Sequence, residues 1–154
     1  MGTPDAAPPS LIALSTYLLS RTGKAARGGL AERLAARGLR LWHMAVLAAL
    51  ADFGPHVQRE LAGRLSMDPS DVAKVVDELA VAGQVDRARD AADRRRVAVS
   101  LTPAGRAVLA ELEEEARKFQ DELFAPLSQD ERARLHEMLH KVYTHLLHPT
   151  HPSP

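Results

Sequence analysis

The chain has 154 residues, with 20 Lys or Arg against 20 Asp or Glu, seven His and no cysteine. A single domain of this length buries roughly 70% of its unfolded surface, and the missing cysteine excludes disulfides, thiolate metal sites and cysteine nucleophiles. Leu and Ala fill 48 positions while Phe, Trp and Tyr fill six, which favours helices over a β-sandwich.

Residues 1–9 hold three prolines and no apolar period, which predicts a disordered N-terminus. Ser10 then reads as the N-cap of a long helix to Arg37, with Leu11, Leu14 and Leu18 on one stripe. Gly23, Gly28 and Gly29 each cost about 1 kcal/mol against Ala in a helix interior, so a kink or break is expected near them. Gly38 is a left-handed stop. Leu41–Phe53, bounded by Gly54-Pro55, predicts a nearly uncharged, buried second helix. Its uncharged run ends at Ala51, far short of the ~20 apolar residues of a membrane span. No basic segment precedes an apolar stretch as in a signal peptide, so a cytoplasmic protein with no membrane partner is expected.

Gln58–Leu65 predicts a short third helix with Leu61 and Leu65 one turn apart. Asp68-Pro69-Ser70-Asp71 supplies an N-cap, a proline at N1 and an acid at N3 for a fourth helix, which runs to Ala82 and stops at Gly83. The period then falls from 3.6 to 2. Val85, Arg87 and Arg89 alternate with Asp86 and Ala88, and Arg96–Leu101 alternates with Val97, Val99 and Leu101 on one face. This predicts a hairpin with a charged, extended tip at residues 90–95. Thr102-Pro103 opens a helix to about Ala125 with Leu109, Leu112, Ala116, Phe119 and Leu123 inward, and Pro126 breaks it. Ser128-Gln129-Asp130-Glu131 is a capping box for a final helix whose apolar face is Leu135, Met138, Leu139, Val142, Tyr143 and Leu146. Residues 148–154 are expected to be a disordered tail.

Three short helices followed by a hairpin define a winged helix-turn-helix arrangement at residues 41–102, within a mainly α fold. Long helices at 10–37 and 103–147 flank it and are expected to form a dimerisation region. A final helix with six large apolar residues on one face needs a partner surface, and a two-fold homodimer is the commonest source of one. Charge is segregated along the chain. Arg21–Arg40 carries a net +5 and Gln84–Arg106 a net +3, whereas Ala107–Glu137 carries −5. A polyanion would meet the two basic regions and avoid the acidic one. In a winged module the helix before the hairpin enters the DNA major groove and the hairpin tip reaches the adjacent backbone or minor groove.

Gly54–Gly105 resembles the multiple antibiotic resistance regulator (MarR) family of transcription factors. The most specific features are the wing, Asp90-x-x-Asp93-Arg94-Arg95, then an alternating strand and Leu101-Thr102-x-x-Gly105. The long flanking helices extend the resemblance over nearly the whole chain. The resemblance implies a dimer with intertwined first and last helices that acts as a repressor on a pseudo-palindromic operator in double-stranded DNA. It further implies Arg95 at the minor groove with Asp93 holding it, and release by a small, often aromatic or anionic, effector bound between the helical and DNA-binding lobes.

Arg94, Arg95 and Arg96 at the tip, with Arg87 on the first strand, are the expected DNA-contacting cations of the wing. Ser70 and Lys74 are the polar contacts offered by the fourth helix, where Asp71 faces phosphate badly. Gln58 and Arg59 add backbone contacts from the third. Tyr17, Arg21, Trp42 and His43 are candidates for a cleft that takes an aromatic anion. Trp42 reads equally as core packing, and His43 as a satisfied buried histidine. His136 and His140, with His145 further along, lie on the final helix, but no third ligand joins them at regular spacing, so no metal or other cofactor is expected. Catalytic signatures such as Gly-x-Ser-x-Gly, a phosphate loop or His-Glu-x-x-His are missing, so no enzyme is expected. Two rival readings remain open: a winged-helix module that binds protein instead of DNA, and a regulator responding to metal through the final-helix histidines.

Overall fold

A computed structural model describes residues 6–149, so most of the terminus and tail expected to be disordered lies outside the described residues. The helix expected from Ser10 to Arg37 is two helices, α1 (Pro9–Ile12) and α2 (Ser15–Ala35). Pro9, within the stretch expected to be loose, opens α1 at N1, and Ser10 does not cap it. The break falls at Leu14, where the backbone turns extended (φ −93°, ψ 118°), and not at the glycines. Gly23, Gly28 and Gly29 stay helical inside α2. Their cost is offset by the Ala, Leu, Arg and Lys around them and by the burial of Leu34 at the far end, which is 0% exposed.

Next come α3 (Leu41–Phe53), α4 (Gln58–Leu65) and α5 (Pro69–Val81), where the apolar pattern and caps placed them. The Asp68 carboxylate accepts the Ser70 amide at 2.8 Å, and Pro69 gives up no hydrogen bond at N1. Val72, Val75, Val76 and Leu79 repeat on one face of α5 and join Val46, Leu47 and Leu50 of α3 and Leu61 of α4 in a single core. The opposite face of α5 is exposed.

The hairpin is β2 (Val85–Arg89) and β3 (Val97–Leu101), antiparallel from Val85 opposite Leu101 to Arg89 opposite Val97. It is not the whole sheet. A two-residue strand, β1 (His56–Val57), pairs with the other edge of β3, His56 opposite Val99 and Val57 opposite Ala98, which gives the order β1-β3-β2. Two residues show no alternation, so this strand left no mark in the sequence pattern. Arg96 lies outside β3 because its amide bonds to the Asp93 carbonyl at 3.0 Å in the preceding turn. Of the inward face expected for β3, Val99 is fully buried, while Val97, farther out along the wing, is 42% exposed.

The return from sheet to helix explains the Leu-Thr-x-x-Gly signature. Gly83 turns the chain after α5 with φ 73°. The Thr102 hydroxyl donates to the Gly83 carbonyl at 2.7 Å and accepts the Gly105 amide at 3.0 Å, capping α6 (Pro103–Leu123) while holding the turn. The helix is thereby drawn onto the backbone before β2, and a Cβ on Gly105 would collide with the Gln84 carbonyl oxygen. Leu109 and Leu112 of α6 are buried in the core, while Ala116, Phe119 and Leu123 are only half-buried.

The described chain divides into two compact units, through Arg117 and from Lys118, with the boundary inside α6. The second unit contains α7 (Gln129–Leu147), started by the expected box: Ser128 Oγ accepts the Glu131 amide at 3.2 Å, and Glu131 Oε1 accepts the Ser128 amide at 3.0 Å. Arg132 donates to Asp121 at 3.0 Å and to the Phe124 carbonyl at 3.1 Å, which folds α7 back on the end of α6. No residue of α7 is buried, and Met138, Val142, Tyr143 and Leu146 are each more than half exposed. No helix among the described residues is long and apolar enough to cross a membrane.

Replacing Gly105 by Ala forces backbone apart from backbone, and should cost at least the roughly 1–3 kcal/mol of an overpacked core site. The control is Gly63→Ala in α4, where the new methyl meets nothing within 4 Å. It should instead stabilise by up to about 1 kcal/mol. Urea midpoints of the two variants check both signs.

Candidate nucleic-acid interface

The wing, α4 and the exposed face of α5 form a surface densely charged in both signs, whose geometry is set by hydrogen bonds and ion pairs. At the wing tip the Asp90 amide donates to the Arg96 carbonyl at 2.8 Å, which closes the loop just beyond the strand pairs. Inside it two aspartates bond forward to the backbone. Asp90 Oδ1 accepts the Ala92 amide at 2.9 Å, and Asp93 Oδ1 accepts the Arg95 amide at 3.0 Å. These are Asx turns, which shape a tip that has no glycine or proline. Asp93 therefore holds Arg95 by its main chain. Arg89 completes the tip by donating to the Arg94 carbonyl at 2.7 Å.

The arginines divide into two groups. Arg87 is paired with Asp77 on α5, and Arg96 with Glu60 on α4, so each is tied to a different helix. The guanidinium groups of Arg94 and Arg95 are exposed and have no acceptor among the described residues. Glu60 has a second function, since its other oxygen accepts the Val57 amide at 3.4 Å at the start of α4. The Arg96 hydrogen bond is the main cause holding the Glu60 carboxyl below its ordinary range, and the Val57 amide adds to it. The same pairing raises the Arg96 guanidinium above its ordinary value. Gln58, Arg59, Glu60, Arg95, Arg96 and Val97 line an open cleft between α4 and the wing.

On α5 the Ser70 hydroxyl donates to Asp68 at 2.5 Å, which commits its proton and leaves the oxygen as an acceptor. That bond, with the Ser70 amide, lowers the Asp68 carboxyl below its usual range. Lys74 is exposed one turn on, and Asp71 and Asp77 share the solvent side with it. This surface is thus mixed in sign, with unpaired cations on Arg59, Lys74 and the wing tip.

The residues considered for a ligand cleft separate in the structure. Trp42 is 43% exposed, so it is not core packing, and Tyr17 is half-buried and Arg21 exposed on α2. No hydrogen bond or ring contact joins the three among the described residues. His43 is 3% exposed and fully engaged. Its Nδ1 accepts the Arg40 amide at 2.9 Å, so the proton sits on Nε2, which meets Glu78 Oε2 at 2.7 Å. Arg40 also grips both Glu78 oxygens, at 3.0 and 3.1 Å. His43 first, and then Arg40, lowers the Glu78 carboxyl below its usual range. A histidine of α3 thereby binds α5 through Glu78.

Glu60, Asp77 and Glu78 were not singled out from the sequence. Each is an ordinary helix-surface acid by pattern, and its side-chain partners are 10 to 38 positions away. On α7 the His136 and His140 rings stack at 6.3 Å, and no group of three or more His, Cys, Asp or Glu suited to a metal occurs among the described residues.

A helix-turn-helix followed by a β-hairpin, with a short strand before it completing the sheet, is the winged helix-turn-helix class of fold. Residues 37–96 match the MarR family model. A candidate transcriptional regulator from Pseudomonas aeruginosa, solved by crystallography, is 32% identical and superposes with a TM-score of 0.71 over 86% of this chain and 98% of its own. BpsR of Bordetella bronchiseptica, whose DNA binding is regulated by 6-hydroxynicotinic acid, is 26% identical, with a TM-score of 0.72 over 89% of this chain and 98% of its own. The transcriptional repressor NicR of Pseudomonas putida is 32% identical over 96 residues, 62% of this chain and 61% of its own length. The chain belongs to the MarR family. It spans 52% and 61% of the lengths of the two curated relatives it matches.

Proposed function

We propose that this protein is a cytoplasmic transcriptional regulator, a repressor that binds a pseudo-palindromic operator in double-stranded DNA as a homodimer. The observation that carries the reading is the pair of arginines, Arg94 and Arg95, held at a bonded hairpin tip with no partner of their own, beside the exposed face of α5. Guanidinium groups so placed meet phosphate and the minor groove, where the potential is most negative. Lys74 and Ser70 face the major groove, and Gln58 and Arg59 the backbone, in this docking. Double replacement of Arg94 and Arg95 by Ala should weaken binding to all sequences and lower the salt slope by about 0.9 for each phosphate that a subunit no longer neutralises. Circular dichroism and thermal melting should be unchanged, because neither side chain bonds to the rest of the fold. An unaltered salt slope would show that the wing does not touch DNA.

Assembly rests on apolar surface left uncovered among the described residues. Leu11, Ile12, Leu14, Leu18 and Leu19 at the start, and the face of α7 at the end, are all exposed. Burying a large apolar side chain is worth about 1.5–3 kcal/mol, so such faces favour self-association. Leu139→Glu places a charge in that seam, and sedimentation should show monomer or aggregate with little operator binding. A stable dimer that still binds DNA would move the interface elsewhere.

The effector is a small aromatic anion, the class to which the 6-hydroxynicotinic acid of BpsR belongs. Exposed Trp42, the sole tryptophan, supports a site near the start of α3, to which Tyr17 and Arg21 on α2 make no bond within the described chain. A tenfold loss of DNA affinity on ligand binding needs about 1.4 kcal/mol of coupling between the two sites. Titration with 6-hydroxynicotinate and related acids should change Trp42 emission in parallel with operator release. Release without a change in emission would place the site away from Trp42.

A further inference from the structure

We propose that Arg96 is a positioning residue and not a DNA contact: with Glu60 it forms a strut that fixes the wing against α4 and sets the direction in which Arg94 and Arg95 reach the DNA. This rests on the DNA-binding reading and divides the wing's cations by task.

Four observations converge on it. Arg96 sits at the junction between the tip and the sheet, and its main chain is bonded on both sides, its amide to Asp93 and its carbonyl to Asp90. Its side chain leaves this junction toward α4 and is neutralised there by Glu60. Glu60 is itself anchored, because its second oxygen takes the Val57 amide. Val57 in turn is paired with Ala98 of β3, two residues from Arg96. The bonds therefore close a short ring, from Arg96 through β3 to Val57, then to Glu60 and back. Because the β1–β3 pair already holds these segments together, closing the ring orders little additional chain. Arg94 and Arg95, directly before Arg96, enter no such ring.

Electrostatics points the same way. If Arg96 turned to phosphate, it would abandon a carboxylate in the cleft lined by Arg59 and Arg95, where a bare negative charge opposes the polyanion. Kept on Glu60, it masks that charge and holds the hairpin at once.

The two roles make opposite predictions. As a direct contact, Arg96→Ala lowers the salt slope by about 0.9 per subunit, and Glu60→Gln, which removes an acid from the interface, tightens binding. As a strut, both changes weaken binding roughly two- to fivefold, the range of an exposed ion pair, and neither changes the slope. The double exchange Glu60→Arg with Arg96→Glu then restores affinity. The experiment is a salt titration of the full-length protein and these variants on an unrelated duplex and on a selected operator, paired with hydrogen exchange at the Asp90 and Arg96 amides without DNA. Faster exchange in each single variant, recovery in the double exchange and an unchanged slope are expected. A reduced slope in Arg96→Ala, tighter binding by Glu60→Gln, or unaltered amide exchange overturns the strut. Failure of the unmodified protein to bind either duplex at low salt overturns the DNA-binding reading instead, and amide exchange still decides whether the strut holds the wing.

Discussion

Strand β3 is hydrogen-bonded along both edges, and the surface proposed to face DNA takes its geometry from that fact. One edge holds β1, which runs directly into α4. The other holds β2, which follows α5 after a single tight turn. Both helices of the helix-turn-helix are therefore registered against the same five residues, Val97–Leu101, and the tip of the hairpin is registered by them as well. Val99 anchors the strand in the core. Thr102 fastens its end to the turn after α5, and Gly105 lets α6 settle onto that turn. A shift of one residue in β3 would turn Val99 outward and break all of these connections, so the register is strongly determined.

Upon this frame, acids decide what each cation is free to do. Asp77 takes Arg87 and Glu60 takes Arg96, and the two helices so engaged lie on different sides of the hairpin's base. Asp90 and Asp93 spend their carboxylates on backbone amides and so give shape to a loop of charged residues. The zero net charge of the chain conceals this arrangement. On the proposed DNA-binding surface, Arg87 and Arg96 are paired internally, while Arg59, Arg94 and Arg95 are left unpaired at defined points.

Much of the fold was legible because it is local. Apolar period located α3, α4 and α5, and Asp68-Pro69 and Ser128-x-x-Glu131 marked helix starts through bonds spanning two or three residues. The fall from period 3.6 to 2 located the hairpin. What was not legible depends on partners distant in sequence or on elements too short to have a period. β1 is two residues long, and the break at Leu14 has neither glycine nor proline to announce it. The long helix was expected to yield at its glycines, but the burial of Leu34 and the surrounding helix formers outweighed their local cost. In the site, the wing cations could be read off as a group, but not which of them Glu60 and Asp77 would claim. His43 was visible as a histidine near a cleft, and only the fold shows it clasped between the Arg40 amide and Glu78.

The uncovered apolar face of α7 has a consequence for dosage. If the protein reaches its operator only after two copies meet, as proposed above, competence depends on how many copies are present, since association shifts with protomer concentration by mass action. Well below the association midpoint, the amount of paired species rises with the square of the total, so halving the supply of chains removes more than half of the active form. Occupancy of a binding site then switches over a narrower range of synthesis rates than it would for a monomer of equal affinity. Under that proposal, a row of exposed Met, Val, Tyr and Leu side chains on one helix would act as a threshold on gene expression, set by the strength of a hydrophobic contact.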